Sequence, residues 1–150
     1  MNTCIFCQII AGQAPSSLVY RDDDIVAFLD IRPVNPGHVL IVPCVHKESL
    51  GELSADIAAR MMTVAQQIMA GIRSSDLRCE GINLFLADGS AAGQEVEHVH
   101  LHVIPRFAHD GFGLRFAPDY GAIADRKWLD DLAEVLRESL PAWREHERGE

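Results

Sequence analysis

Three histidines alternate with branched aliphatic residues in the second half of the sequence. Residues 98–104 read His-Val-His-Leu-His-Val-Ile. Successive side chains of a β-strand point to opposite faces, so His98, His100 and His102 would share one face. The aliphatic residues between them would face the core, where each buried side chain contributes roughly 1.5 to 3 kcal/mol. The pattern therefore predicts a strand that is anchored in the core and presents a row of imidazoles to a cleft.

A row of imidazoles can bind a metal or act on phosphorus. In a straight strand the alpha carbons of His98 and His102 would lie about 13 Å apart, so the three rings would not converge easily on one ion. Two adjacent rings could share an ion, but the third ring would then have no role in binding it. In nucleophilic catalysis, one imidazole attacks while its neighbours orient and neutralise the phosphate. We favour the nucleophilic interpretation and keep a metal site as the alternative.

Cys4 and Cys7 form a C-x-x-C pair, which supplies half of a tetrahedral zinc site. From these residues alone, a redox pair or two packing thiols are equally open interpretations. Cys44 and Cys79 are isolated in the sequence, and we predict that they pack in the interior.

Hydrophobic periodicity and chain breakers place the histidine row in an α+β fold. The predicted strands cover residues 18–21, 25–29, 38–42, 82–87 and 98–104, and Pro105 is expected to end the last strand. The predicted helices cover residues 4–11, 54–72 and 125–140. Strands interrupted by one long helix predict an antiparallel sheet. A length of 150 residues is enough for one core, so we predict a single domain.

The charge balance limits the possible partners. Thirteen basic and 22 acidic residues give a net charge of -9, which disfavours nucleic acid and anionic membrane surfaces. The longest apolar run, residues 39–45, is far too short to span a bilayer, and no basic stretch precedes an apolar run at the N-terminus. We therefore expect a cytoplasmic protein.

The histidine row and three further segments resemble the histidine triad (HIT) superfamily. Residues 92–94 read Ala-Gly-Gln, residues 36–43 read Pro-Gly-His-Val-Leu-Ile-Val-Pro, and residues 4–10 are similar to the common bacterial N-terminus of that family. The resemblance covers residues 4 to about 107 and leaves 107–150 as a C-terminal extension that includes a helix. It implies a five-stranded antiparallel sheet with one long helix and short flanking helices, in a homodimer with a continuous ten-stranded sheet.

The resemblance also implies catalytic roles. His100 would be the nucleophile and form a nucleotidyl-imidazole, which water or another acceptor then resolves; a neutral imidazole is competent for this at neutral pH. His102 would bind phosphate and help to protonate the leaving group. His38 would be a buried residue that supports the nucleophile, with a purely structural role as the alternative.

The implied activity is that of a nucleotide hydrolase or transferase without an organic cofactor. Its substrates would be purine nucleoside 5′-phosphate derivatives, such as phosphoramidates or dinucleoside polyphosphates, cleaved at the α-phosphate. A catalytically weak nucleotide-binding or interaction module on the same dimeric fold is the alternative.

The implied nucleotide pocket combines one carboxylate, several hydrophobic residues and a glycine-rich turn. Asp30 can accept both hydroxyls of a ribose, although by itself it would be interpreted as a turn residue. The purine would be held by hydrophobic side chains, namely Phe6, Ile9, Phe28 and Ile31. The phosphate would be held by backbone amides of residues 89–96, including Val96, and by the Gln94 side chain.

Two positions depart from the family pattern. Many members carry Ser or Thr in place of Glu95 and Asn in place of Ala87, which leaves the identity of the leaving group open.

The zinc ligands implied by the resemblance are Cys4, Cys7, His46 and His98. A structural zinc at these residues would tie the N-terminal helix to the sheet and remove His98 from direct phosphate contact.

Overall fold

The five predicted strands form one antiparallel sheet in the order β1-β2-β3-β5-β4. The structure, a computed structural model, describes residues 4–141. The strands are β1 (Leu18–Arg21), β2 (Ile25–Leu29), β3 (Val39–Pro43), β4 (Gly81–Phe85) and β5 (Leu101–Arg106). The helices are α1 (Ile5–Ile10), α2 (Ala55–Ser74) and α3 (Arg126–Ser139), and two short 3-10 helices cover Leu50–Glu52 and Ser90–Ala92. The predicted fold class is confirmed, whereas the homodimer stays a prediction.

The two faces of the sheet carry separate hydrophobic cores. On one face the long helix α2 packs against β2, β3 and β5 through a row that includes Met61, Val64 and Ile68. On the other face α1 packs Phe6 and Ile9 against the outward side chains of β2 and β3. Because side chains alternate along a strand, this second face also receives His102, which lies opposite Leu40 of β3.

Helix α2 begins as its sequence predicts. The Ser54 hydroxyl accepts a hydrogen bond from the Ile57 amide and so satisfies one of the free donors of the first turn. Arg60 then joins the helix to the β1–β2 hairpin, because its guanidinium donates to Asp22 Oδ2 at 2.7 Å and to the Tyr20 hydroxyl at 2.7 Å. These contacts hold the Tyr20 and Asp22 pair, in which the hydroxyl donates to the carboxylate at 2.6 Å.

The last strand begins three residues later than predicted and continues through Pro105. The Val99 amide donates to the Lys47 carbonyl, so this part of the chain pairs with the loop after β3 and not with β3 itself. Pro105 lies opposite Ile82 of β4, beyond the last pairing between β5 and β3. A missing amide hydrogen is tolerated at that point because no strand on the β3 side needs it.

Gly37 makes the sharp turn that leads into β3. Its φ of +89° lies in the left-handed region that favours glycine. A Cβ at this position would also lie 2.7 Å from Leu77 Cδ1 and 3.3 Å from Pro105 Cγ. The turn therefore requires glycine, and it places His38 directly before the strand.

Within residues 4–141 the chain forms two compact units, the first ending at Phe112 and the second beginning at Gly113. The first unit contains the sheet, α1 and α2. The second contains α3, whose N-cap Asp125 accepts a hydrogen bond from the Trp128 amide. A single domain with an extension from residue 107 stays a prediction, and residues 142–150 lie outside the described part. No helix within residues 4–141 has the length and apolarity needed to cross a membrane.

Candidate active site

The face of the sheet that carries α1 also carries a cavity of about 740 Å³, a size typical of sites for small molecules. A row of facing residues crosses its floor: Phe28 lies opposite Leu40, Leu40 opposite His102, and His102 opposite Phe85. The predicted site residues that line the cavity are His38, His100, His102, Asp30, Phe6, Ile9, Phe28, Ile31 and Val96. The fold therefore brings nine of the predicted catalytic and nucleotide-binding residues to one cavity, from the strands, from α1 and from the segments between them.

His100 is held in one tautomer by the backbone. Its Nδ1 lies 2.7 Å from the His98 carbonyl oxygen, which can only accept a hydrogen bond, so Nδ1 carries the proton. The lone pair of the neutral ring is then on Nε2. The ring is 5% exposed, and Phe6 packs edge-on against it with the ring centroids 5.1 Å apart. His100 thus combines a fixed ring with a nitrogen lone pair available for attack.

His102 is oriented by a chain of two hydrogen bonds. The Val34 amide donates to His38 Nδ1 at 3.1 Å, which leaves the His38 proton on Nε2. His38 Nε2 in turn lies 2.9 Å from His102 Nδ1 and donates to it. The remaining proton of neutral His102 is therefore on Nε2, and this ring can donate a hydrogen bond where His100 offers a lone pair.

His38 and His102 are both neutral at pH 7. The pKa of His102 is lowered to about 4, chiefly by burial and also by the neighbouring His100 and His38, against the opposing effects of Asp30 and Glu95. Burial also lowers the pKa of His38, and the Asp30 carboxylate partly offsets that shift. The tautomers described above are therefore the relevant ones at neutral pH.

Asp30 combines a turn role with a place in the cavity. Its Oδ1 accepts a hydrogen bond from the Arg32 amide at 2.8 Å, which is the turn contact its sequence position indicates. Its Oδ2 lies 3.7 Å from His38 Nε2. Ligand atoms of Asp30, His38 and His102 fall within 4.8 Å of one another, the spacing of a metal site. We interpret them as a hydrogen-bonded group, because the Val34 amide and the contact between the two rings already use both nitrogens of His38.

The glycine-rich loop after β4 is closed by Gln94. The Gln94 side chain accepts from the Gly89 amide at 2.7 Å and donates to the carbonyls of Glu48 at 2.8 Å and Val96 at 3.0 Å. Gly93, Glu95 and Val96 line the cavity from this loop. A phosphate contact from the Gln94 side chain stays a prediction, and in this structure its hydrogen bonds shape the loop.

The remaining predicted site residues form a second cluster, beside the cavity. Ligand atoms of Cys4, Cys7, His46 and His98 all lie within 4.8 Å of one another. The two Nδ1 atoms are 3.3 Å apart, and the Cys7 Sγ lies 3.3 Å from His46 Nδ1 and 3.6 Å from His98 Nδ1. A tetrahedral zinc with two nitrogen and two sulfur ligands has edges of about 3.3 Å between nitrogens and about 3.6 Å between nitrogen and sulfur. The four residues therefore fit zinc.

His98 is prepared for this role by its own backbone contact. Its Nε2 donates to the Pro43 carbonyl at 2.9 Å, so Nδ1 has the lone pair and faces the other three ligands. The three alternating histidines therefore face two different places, because His98 faces the cysteines while His100 and His102 line the cavity.

Several cavity residues were not predicted as site residues. Arg32 and Glu95 form an ion pair at 2.6 Å, with both side chains more than two-thirds exposed. Phe85 lies with its ring centroid 5.7 Å from that of His102, and the strand register could have indicated it. Phe112 also lines the cavity, and no motif pointed to it. Ala87, flagged as a departure, is buried and 2% exposed.

Phe112 is positioned by a buried ion pair. Arg106 donates from Nε to Asp110 Oδ2 at 2.6 Å, and the Asp110 side chain is 2% exposed. Asn35 and the Phe112 amide also donate to the Asp110 carboxylate, at 2.8 and 3.1 Å. These donors hold the pKa of Asp110 well below its usual range, chiefly through the Arg106 hydrogen bond.

Known proteins resemble this chain in sequence and in fold. A family model described as the HIT domain matches residues 11–109, which include most of the cavity-lining residues, His46 and the three alternating histidines. The chain belongs to the HIT family. An uncharacterized HIT-like protein from Borreliella burgdorferi is 46% identical over 116 residues, which cover 77% of this chain and 84% of that protein. The adenylylsulfatase HINT3 from Arabidopsis thaliana is 37% identical over 73% of this chain and 55% of its own length.

Solved structures of HIT proteins have the same fold. A HIT family protein from Bacillus anthracis aligns with a TM-score of 0.84 at 37% identity, over 93% of this chain and 98% of that one. A Zn-bound histidine triad family protein from Mycobacterium smegmatis aligns with a TM-score of 0.71 at 40% identity, over 78% and 84%. A histidine triad nucleotide-binding protein from Candida albicans aligns with a TM-score of 0.79 at 31% identity, over 91% and 96%.

Proposed function

We propose that this HIT protein is a nucleotide hydrolase or transferase that cleaves purine nucleoside 5′-phosphate derivatives at the α-phosphate. The observation that carries the proposal is the hydrogen bond from His100 Nδ1 to the His98 carbonyl. It leaves the Nε2 lone pair on a ring that lines a cavity of nucleotide size. The relatives support this class of activity, since one is an adenylylsulfatase and another a nucleotide-binding protein.

The nucleoside would occupy the apolar part of the cavity. Phe6, Ile9 and Phe28 are packed there and can cover a purine face. Asp30 is 18% exposed and holds its Oδ1 on the Arg32 amide, so its carboxylate is fixed beside the apolar residues. It can accept hydrogen bonds from ribose hydroxyls, and a nucleotide bound in this way would direct its 5′-phosphate toward the histidines.

The reaction would take place in two displacements. In the first, the His100 Nε2 lone pair forms a bond to the α-phosphorus, and the bond to the leaving atom breaks with its electron pair going to that atom. His102 donates its Nε2–H hydrogen bond to the leaving atom, and solvent water supplies the proton that this atom finally carries. In the second, the oxygen of water or another acceptor attacks phosphorus, its proton goes to solvent, and the electron pair of the phosphorus–nitrogen bond returns to Nε2.

Zinc would have a structural role at Cys4, Cys7, His46 and His98. These residues come from the start of α1, from α1 itself, and from the segments after β3 and before β5. A bound zinc would therefore fix α1, which carries Phe6, to the segment that carries His100. The partners we propose are a purine nucleotide and a second copy of this chain.

A test is AMP release from adenosine 5′-phosphoramidate and from a diadenosine polyphosphate, with His100→Asn as the comparison. We expect release by the natural protein and its loss in the variant. Tight AMP binding without release from either compound would support the nucleotide-binding module, which the exposed Glu95 carboxylate at the cavity keeps as the second candidate. If the protein neither binds AMP nor releases it from these compounds, both functions are contradicted.

A further inference from the structure

The Arg32–Glu95 ion pair joins two separate segments that line the cavity. Arg32 lies in the loop between β2 and β3, and Glu95 lies in the glycine-rich loop 63 residues later in the chain. Both residues line the cavity that contains His100 and His102. The pair measures 2.6 Å, and its side chains are 78% and 72% exposed.

The backbones at both ends of the pair are fixed, whereas the side chains are accessible. The Arg32 amide is bound to Asp30, and Glu95 lies between Gln94, which closes its loop by three hydrogen bonds, and Val96, which packs against the α1 core. An ion pair as exposed as this one contributes little to stability, so a ligand can exchange with either partner at low cost. The geometry therefore offers one cation and one anion to a ligand in the cavity.

Glu95 lines the same cavity as His102. Burial is the main influence on the pKa of His102, and the Glu95 carboxylate is one of the two charges that oppose it. In the proposed function, His102 donates a hydrogen bond to the leaving group. Because Glu95 and this ring line the same cavity, the Glu95 carboxylate can interact with the group that departs from phosphorus.

We propose that the Arg32–Glu95 pair selects the substrate by the charge of its leaving group, an inference that rests on the proposed nucleotide site. Glu95 accepts hydrogen bonds from an amine leaving group and repels a phosphate chain. Arg32 offsets that repulsion while the pair is intact and binds the chain when it is released from Glu95. The natural protein therefore holds nucleoside phosphoramidates without a charge penalty and admits polyphosphates only by breaking the pair.

The test compares the affinities of AMP and ADP by calorimetry, because the β-phosphate of ADP stands where a leaving group would be. Removing one exposed charge changes a contact by about 1 kcal/mol, or about fivefold in affinity. We expect Glu95→Gln to shift the affinity ratio toward ADP by about fivefold and Arg32→Gln to shift it away by about fivefold. In turnover, AMP release from a diadenosine polyphosphate relative to the phosphoramidate should shift in the same directions.

Arg78 and Glu80 provide matched controls. They form an exposed ion pair at 3.1 Å and do not line the cavity. Arg78→Gln and Glu80→Gln change the net charge by the same amounts, and neither should change the ratio. A ratio that is the same in all five proteins, with nucleotide still bound, would overturn the role of the pair and leave the proposed function intact. Shifted binding ratios without any AMP release would support the pair and contradict hydrolysis, and absence of binding by the natural protein would overturn both.

Discussion

His38 Nε2 lies 2.9 Å from His102 Nδ1, and this contact couples a histidine of the turn before β3 to a histidine of β5. The Val34 amide fixes the acceptor nitrogen of His38, so His38 must donate to His102. The position of the His102 proton is thus determined by a backbone amide four residues before His38. His38 acts through His102, so we class it as a positioning residue.

The first prediction concerns these tautomers. Nitrogen NMR of the labelled protein at pH 7 should show His102 and His38 protonated at Nε2, and His100 protonated at Nδ1. Replacing His38 with Asn removes the donor at the Nε2 position, because the shorter Asn amide ends about where Nδ1 does, so His102 should populate both tautomers and AMP release should fall by about tenfold or more. His109→Asn is the control, because His109 is exposed and its φ of 65° suits Asn. Retention of a single His102 tautomer in His38→Asn would contradict the proposed orientation.

The second prediction is the dependence of stability on pH. An unfolded histidine has a pKa near 6.5, whereas that of folded His102 is about 4, chiefly because of burial. Between these values the unfolded state binds more protons, so the free energy of unfolding should fall as the pH drops from about 6.5 to about 4, by about 2 kcal/mol. The charged and titratable groups that act on this ring are His100, His38, Asp30 and Glu95.

Urea unfolding at several pH values would measure this slope. His102→Asn should give a shallower slope over the same range, because it lacks the group that titrates. Equal slopes for the two proteins would show that His102 is not held neutral by the fold.

A third prediction concerns zinc. The purified protein should contain about one zinc per chain by elemental analysis. Cys7→Ser removes one ligand, so it should reduce the zinc content and lower the midpoint of thermal unfolding. Cys79→Ser is the control, because the Cys79 thiol lies 3.2 Å from the Gly81 carbonyl, to which a serine hydroxyl can also donate. Full zinc content in Cys7→Ser would refute the assignment of the four ligands.

The turn before His38 gives a fourth prediction. Gly37→Ala combines a φ of +89° with a contact of 2.7 Å to Leu77 Cδ1, so it should destabilise the protein by about 2 kcal/mol. The displaced turn should also weaken the contact between His38 and His102. Gly81→Ala is matched, because a Cβ there meets no atom within 4 Å and its φ is ordinary. Comparable losses of stability in the two variants would argue against a special requirement at Gly37.

The sequence predicted the elements well because their signals are local. The period of the apolar residues in α2 and its Ser54 cap belong to one helix, and the alternation around His100 lies within seven consecutive residues. The start of β5 was wrong because it depends on a distant partner, the Lys47 carbonyl that takes the Val99 amide. Pro105 was expected to end β5. The strand continues through Pro105 because its pairing with β3 has already ended at Val103, so the missing amide hydrogen of Pro105 is not needed there.

The residues that line the cavity were predictable where the family resemblance named them and unpredictable where contacts cross the fold. The ion pair between Arg32 and Glu95 joins positions far apart in the chain, and no local pattern indicates it. The place of Phe112 depends on the buried Arg106 and Asp110 pair. These contacts follow from the register of the sheet and from loop geometry, which the spacing of residue types does not encode.

The central claim is that His100 is the nucleophile, and a covalent adduct tests it most directly. The protein would be mixed with adenosine 5′-phosphoramidate, quenched in the first turnovers, and analysed by intact mass and peptide mass spectrometry. We predict a gain of one adenylyl group on His100, absent in His100→Asn and retained in His109→Asn. AMP release by the natural protein with no adduct on His100 under any quench time, or with the adduct on another residue, would contradict it.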